Sequence, residues 1–307
     1  MPYRLLKQKP QTQIFLHSHE KSQIVDELSG QYDIKLLLKK LGLARSSYYY
    51  VRKHPPKPTR PELWENAKEI FARTSNGCGH RQILMCLRAE VGCCISKKTV
   101  LKMMREIGLV CQIRRKRYSH YNSYRGKVGK IARNVINRDF QAQQPWQKMG
   151  TDVTEFAGSW GKAYFAPIYD FCSKEIVAWS IAKVPDFSQQ RRLLNDFLSK
   201  LPEGKHPILH SDMGWQYQHA AWVNCLKNNG IVQSMSRKGN CLDNAATEQV
   251  FGHLKDEFYR GQQWDSYESF ERDLNAYVFY WNNQRRQIKL KGMTPVEYRC
   301  HSLLTRN

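Results

Sequence analysis

The hydrophobic period of the chain changes near Trp146, and this change fixes the class of fold open to its second half. Residues 149–156 and 162–170 alternate or run apolar over strand lengths. They are joined by 157–161, a short glycine-containing stretch suited to a hairpin loop. Residues 175–182 read as a third strand after a turn at 171–174. Then the period switches: a helix from Gln189 capped by Ser188, a strand over 207–211, a helix over 220–229, a strand over 231–234, and a helix from about Leu242. Two hairpins followed by alternating β and α segments imply a mixed five-stranded sheet covered by helices, an α/β fold.

Three acids fall where such a sheet collects ligands. Asp152 belongs to the first strand, Asp212 lies just past the carboxyl end of the fourth, and Glu248 lies in the helix after the fifth; 59 residues separate the first pair and 35 the second. If the fourth strand runs parallel beside the first, all three reach one crevice at the sheet end. Carboxylates converging from separate elements suit a divalent metal, and two such metals can stabilise the entering and leaving oxygens of a phosphodiester. Taken singly, each acid reads equally as a solvated or capping carboxylate. Lys255 follows Glu248 by seven residues, two helical turns on and on the same face, within reach of a phosphate beside the acids.

The charge of the chain points to a polyanion. Lys and Arg number 49 against 27 Asp and Glu, a net +22. The excess is concentrated: residues 1–140 hold 29 basic and 10 acidic side chains, residues 141–307 hold 20 and 17. The basic half reads as small helices. Segments 21–30, 33–41 and 45–52 form an N-terminal set over 1–53, with Asp33 as an N-cap and Gly42 as a stop. HPPKPTRP, 54–61, is a proline-rich linker. In 62–110 a helix over 80–90 presents Ile83, Leu84 and Leu87. After a turn, Ser96 caps a second helix, 97–107, whose Val100, Leu101, Met104 and Ile107 face inward and whose Lys97, Lys98, Lys102 and Arg105 face outward.

Helix, turn and basic helix is the pattern of helix-turn-helix DNA binding, and equally that of a plain helical hairpin with a solvated face. The stretch 111–140 weighs toward DNA. Between Gln112 and Arg138 it holds nine Lys or Arg, among them Arg114, Arg115, Lys116 and Arg117, no acid, and interleaved Tyr118, Tyr121 and Tyr124. A basic spacer is the bland alternative. Residues 141–307 remain as a nearly neutral core.

No run approaches the roughly 18 apolar residues of a membrane span, so a soluble, cytoplasmic protein is expected. Nine cysteines without zinc-ligand spacing read as reduced thiols. The loop Ser236–Asn240 offers Arg237 and Lys238 to phosphate or simply turns the chain. His210 reads as a satisfied strand-end histidine rather than a base, and Asp243 as the N-cap of the Glu248 helix. Thr294-Pro295-Val296-Glu297 reads as a capping box. Leu274, Tyr277, Val278 and Trp281 read as core packing. Asn282, Asn283, Arg285 and Arg286 fit either a DNA contact or a polar helix end.

WQKMGTDVTEF, YFAPIYDFCSKEIVAWS, LHSDMGWQY, QSMSRKGNCLDNAATEQVFGHLKDE and YVFYWNNQRRQIKLKGMTPVEYR resemble, in this order, the second-frame (OrfB) transposase of the bacterial insertion-sequence family three. GCGHRQI and VGCCISKKTVLKMMREIGL resemble its helix-turn-helix segment. The resemblance runs from about residue 20 to 300. Met213, His80 and Trp281 stand where that family usually has glutamine, tyrosine and tyrosine, and no acid is lost.

The resemblance implies a ribonuclease H-like, integrase-type catalytic core preceded by small all-α helix-turn-helix domains. It implies that Asp152, Asp212 and Glu248 are the catalytic, metal-holding DDE set, with two Mg²⁺ ions for which Mn²⁺ substitutes, and that Lys255 is the basic residue following it. The implied activity is cleavage of element ends to 3′-hydroxyls and strand transfer. The implied partners are double-stranded DNA (terminal inverted repeats and target), further copies of the chain on that DNA, and an upstream-frame helix-turn-helix and leucine-zipper protein. A nucleoid-associated place in a bacterial cytoplasm follows. A non-catalytic DNA-binding regulator and a ribonuclease H-type nuclease that cuts without joining remain open as alternatives.

Overall fold

A computed structural model describes residues 18–54, 61–113, 131–237 and 241–304. Most of the linker 54–61, the arginine cluster 114–117 and Lys238 therefore lie outside the described residues. The chain divides into two compact units, Met1–Pro61 and Glu62–Asn307.

The first unit holds α1 (Ser18–Leu28), α2 (Ile34–Leu41) and α3 (Arg45–Lys53). The side chain of Asp33 caps α2 by accepting from the Lys35 amide at 2.6 Å, and Gly42 ends the helix in the left-handed region, φ +59°, as their residue types predict. Val25, Leu38, Leu43 and Tyr48 form the core. Tyr48, fully buried, donates its hydroxyl to Asp26 at 2.6 Å.

The second unit opens with α4 (Pro61–Ala72), α5 (His80–Glu90) and α6 (Lys97–Glu106). Ser96 caps α6 by accepting from the Thr99 amide. Ile83 and Leu87 of α5 and Val100 and Met104 of α6 meet in one apolar cluster with Ala67 and Ile70 of α4. This leaves Lys97, Lys98, Lys102 and Arg105 exposed on the outer face of α6.

The sheet is built from β1 (Lys148–Thr151), β2 (Thr154–Gly158), β3 (Gly161–Asp170), β4 (Ile176–Ala182), then, after α7 (Phe187–Lys200), β5 (Ile208–Ser211). The short α8 (Trp215–Gln218) and α9 (Ala220–Asn228) lead to β6 (Val232–Met235). Then come α10 (Ala245–Leu254), α11 (Tyr267–Asn283) and α12 (Pro295–Leu304). β3 pairs antiparallel with β1, β2 and β4, whereas β1–β5 and β5–β6 are parallel, which makes the mixed sheet expected from the pattern. One apolar layer packs on each face. Ala166 and Ile168 of β3 join Leu193 and Phe197 of α7 and Trp222 of α9. Ala163, Phe165 and Tyr169 join Val250 and Leu254 of α10 and Leu274, Tyr277, Val278 and Trp281 of α11.

Several local expectations are corrected. The first predicted strand, 149–156, is two segments, so the sheet has six strands rather than five. The register that pairs Thr151 with Ile168 and Thr154 with Phe165 sets the break at Asp152 opposite Pro167, which has no N–H to give a ladder. In addition, the Val153 amide donates to the Asp152 side chain at 2.7 Å instead. α7 is capped by Asp186, whose carboxylate accepts from the Gln189 amide, and not by Ser188, whose hydroxyl donates to Asp186.

Residues 131–140, read from sequence as part of the basic arm, contact the sheet: Ser234 Oγ accepts from the Val135 and Ile136 amides, and Ile136 is buried in the α10–α11 layer. The capping box at Thr294 and Glu297 forms reciprocally, at 3.2 and 3.0 Å. Asn282 is structural. Its amide pairs with both backbone groups of Ile176 at 2.9 Å, completing the edge strand β4. Among the described residues the cysteines are free, and no helix is long and apolar enough to cross a membrane.

Candidate active site

Parallel pairing of β1 with β5 brings the first two acids together. Gly150 lies opposite His210. Two residues further, where both strands end, Asp152 stands beside Asp212. Each carboxylate is oriented by a backbone amide from its own loop: Val153 N on Asp152 Oδ1 at 2.7 Å, Gly214 N on Asp212 Oδ1 at 2.8 Å. Burial raises both pKa values, and for Asp152 the charge of Asp212 adds to it, with a smaller push from Glu248. Beneath them the fully buried Tyr217 has its hydroxyl raised far above the usual range, first by burial and then by these two aspartates.

Glu248 lies in the first turn of α10; the residue is exposed as a whole, but partial loss of water around its carboxyl group raises its pKa. Asn244 connects this helix to the aspartates. It sits at the N-cap but makes no capping bond; its Nδ2 donates to Asp152 Oδ2 at 2.9 Å. One turn on, Thr247 rests against Gly150. A β-carbon at Gly150 would lie 2.5 Å from Thr247 Oγ1 and 2.6 Å from the Phe171 ring, so only glycine lets α10 approach the strand that ends in Asp152.

Among the described residues no three His, Cys, Asp or Glu side chains already stand close enough to hold a metal ion. Asp152 and Asp212 are the near pair and Glu248 stands further off. The donor chemistry nevertheless fits a hard divalent cation, since two neighbouring carboxylates whose pKa values burial has raised are relieved by a positive charge between them. Lys255, at the carboxyl end of α10, is half-buried with its ammonium 5.8 Å from the centre of the Phe156 ring. Burial lowers its pKa, and Asp152 and Glu155 partly oppose the shift.

The loop leading into α10 is closed by a polar network, and this network uses residues that sequence reading assigned otherwise. His210, fully buried, donates Nε2–H to the Asp243 carbonyl at 2.8 Å and accepts the Ser234 hydroxyl at Nδ1, 2.9 Å away. Burial lowers its pKa, and with both ring nitrogens bonded inside the fold it holds this loop in place. Asp243 is not the N-cap of α10. Its carboxylate, with no exposed surface, accepts from Asn134 at 3.0 Å, Arg138 at 2.9 Å and the Arg237 Nε at 2.8 Å. Arg237 first, with Arg138, holds that carboxyl well below the usual range. Arg237, expected on DNA, is thus committed to an internal ion pair.

Asn244, Thr247, Gly150 and Tyr217 are the site residues that sequence reasoning passed over. Asn244 carried the one available signal, a polar N-cap type directly before the helix of Glu248. The basic face of α6 is well separated along the chain from these acids. Its four cations remain exposed, with Lys102 only loosely paired to Glu106 at 3.6 Å.

Comparison with known proteins agrees with this division. The family described as Integrase core domain matches residues 142–241, a second family of the same description matches 248–303, and the HTH-like domain family matches 60–117. The chain is 38% identical over 284 residues to the putative transposase InsK for insertion sequence element IS150 of Escherichia coli, covering 92% of this chain and 99% of that one. It is 28% identical to the transposase InsF for insertion sequence IS3A of the same organism, covering 91% and 98%. Among solved structures it is similar to the HTLV-2 integrase catalytic core domain in complex with magnesium, with 14% identity, 52% of this chain and 99% of that chain covered, and a TM-score of 0.39.

Proposed function

Because the chain belongs to the insertion-sequence transposases built on an integrase core domain, we propose that it cleaves the ends of its element to free 3′-hydroxyls and joins them to target DNA at Asp152, Asp212 and Glu248. The observation that carries this reading is that Asp152 and Asp212 stand side by side just past the ends of two adjacent parallel strands.

Asp152 and Asp212 would hold two divalent cations, Mg²⁺ or Mn²⁺, with Glu248 completing one shell; the cations would supply nucleophile activation and charge stabilisation at the leaving oxygen. The protein's own groups set the geometry. Asn244 and the Val153 amide fix the Asp152 carboxylate, and the Gly214 amide fixes Asp212. Lys255 presents an ammonium to a phosphate lying over Asp152. In the first reaction water attacks phosphorus and the 3′-oxygen leaves. In the second the freed 3′-hydroxyl attacks a target phosphodiester, and a target 3′-oxygen leaves. Both are in-line displacements that need neither ATP nor a covalent protein intermediate.

Lys97, Lys98, Lys102 and Arg105 of α6 would contact the terminal repeat, with Arg114, Arg115, Lys116 and Arg117 and Lys238 gripping phosphates along it. Work on two ends calls for more than one copy of the chain on DNA, in the bacterial cytoplasm, with an upstream-frame protein as a further partner. End-labelled element DNA incubated with the protein and Mg²⁺ tests the reading. Nicked ends and joined products are expected. Binding alone would make the protein a regulator, and cutting without joining would make it a nuclease.

A further inference from the structure

Among the contacts of the helix-turn-helix module with the core, one side chain reaches the turn that follows the helix of Glu248. Asn76, in the loop between α4 and α5 and only 8% exposed, donates Nδ2 to the carbonyls of Asp256 at 2.9 Å and Arg260 at 2.8 Å. Those carbonyls belong to the π-helical turn Lys255–Tyr259 and the residue that closes it, immediately after α10. The turn is closed by the Arg260 amide on the Lys255 carbonyl at 2.8 Å, so its first residue is the lysine beside Asp152.

Carbonyls at a helix end have no partner within the helix. An Asn or Gln amide brings two coplanar N–H groups without charge, which is the donor needed to serve two of them at once. Asn76 is itself held. Its carbonyl accepts from the Gln112 amide at 2.9 Å, where the chain leaves α6 toward the basic arm, and its Oδ1 faces Gln262 Nε2 at 3.4 Å. Next to it, Gly77 at φ +66° packs so closely on Phe71 that a β-carbon would meet the ring at 2.1 Å, which leaves this loop little freedom. Glu257 in addition ties the same turn to Arg285 at 2.6 Å and Tyr277 at 3.0 Å.

We infer that Asn76 is a positioning residue for the active site: the DNA-reading module, through this amide, fixes the turn after the catalytic helix and with it Lys255. The inference rests on the transposase reading of the site and adds to it a physical link between DNA engagement and catalysis. Strain placed on the module, on α6 or on the arm at Gln112, arrives at Asn76 and from there at the end of α10. Glu257 keeps the turn from unwinding when Asn76 is replaced, so the effect is on placement and not on folding.

The test uses full-length Asn76→Ala and Asn76→Asp, the latter keeping the shape while setting a carboxylate against two carbonyls. Removing two hydrogen bonds from the turn is expected to lower the rate of end cleavage at saturating DNA by about tenfold or more, since each net bond is worth up to about a factor of ten. DNA affinity should stay within about twofold. Hydrogen exchange should rise at residues 255–260 and not in β3. Cleavage and exchange equal to wild type would overturn the inference, as would a parallel loss of DNA binding or faster exchange throughout the core. A wild-type protein that binds but never cleaves would sink the transposase reading instead, and the local exchange pattern would still decide the link between module and turn.

Discussion

Replacing Gly150 with alanine is the smallest change that should separate the walls of the active site. The new methyl would stand 2.5 Å from Thr247 Oγ1 and 2.6 and 2.8 Å from two carbons of the Phe171 ring, against an ordinary contact of about 3.5–4 Å. The neighbours must therefore yield by roughly 1 Å in total. Neither has room: Thr247 is 1% and Phe171 2% exposed. The expected relief is a shift of α10 away from β1, which carries Glu248 and Asn244 away from Asp152.

Overpacking of this kind costs about 1–3 kcal/mol. A displacement of about 1 Å between reacting groups costs on the order of a hundredfold in rate. Denaturant melts and single-turnover cleavage of end-labelled DNA read the two effects, with DNA affinity unchanged. The double variant Gly150→Ala, Thr247→Ala removes the closest atom and should recover part of both losses. Wild-type cleavage by Gly150→Ala would refute the claim that contact between β1 and α10 sets the spacing of the acids.

Asp243→Asn should destabilise the protein by about 2–3 kcal/mol, less than the roughly 3–5 kcal/mol for a fully buried pair, because Arg237 and Arg138 are half exposed and can hydrate. Since the folded-state pKa of Asp243 is depressed, its contribution is present above the unfolded value near pH 4 and is lost as pH falls through the lower folded value. Urea melts should therefore show the gap to wild type closing only in strong acid. Neutralising Arg114, Arg115, Lys116 and Arg117 together should make the log–log salt dependence of DNA binding shallower, by up to about 0.9 for each phosphate that these side chains neutralise. An unchanged slope would make the cluster a spacer.

What the sequence revealed and what it hid differ by the range of the interactions involved. Caps act within four residues, so Asp33, Gly42, Ser96 and the Thr294–Glu297 box were legible from their neighbours alone. The apolar stripe of α11 was legible for the same reason, because its period is local. The break at Asp152 was not, because Pro167 meets it only through the β1–β3 register, across a hairpin. Asp243 resembles a cap in sequence. Its carboxylate is taken first by Arg237, six residues before it, and then by Asn134 and Arg138, more than a hundred residues away, and these tertiary partners override the local preference. Asn244, a cap type in sequence, makes no capping bond and instead donates Nδ2 to Asp152 across the fold. The meeting of Asp152 with Asp212 could be inferred because strand ends follow from the hydrophobic pattern, while the side chains that orient them depend on tertiary contacts.

The most direct measurement is cleavage and joining of terminal-repeat DNA by Asp152→Asn, Asp212→Asn and Glu248→Gln, each beside the wild type and with DNA affinity measured on the same preparations. Amides keep the shape of the side chains and remove the charge that would hold the cations. All three variants should bind DNA as the wild type does and give neither nicked nor joined products with Mg²⁺ or Mn²⁺. Near-normal cleavage by any one of them would remove that residue from the site, and near-normal cleavage by Asp152→Asn or Asp212→Asn would contradict the account as a whole.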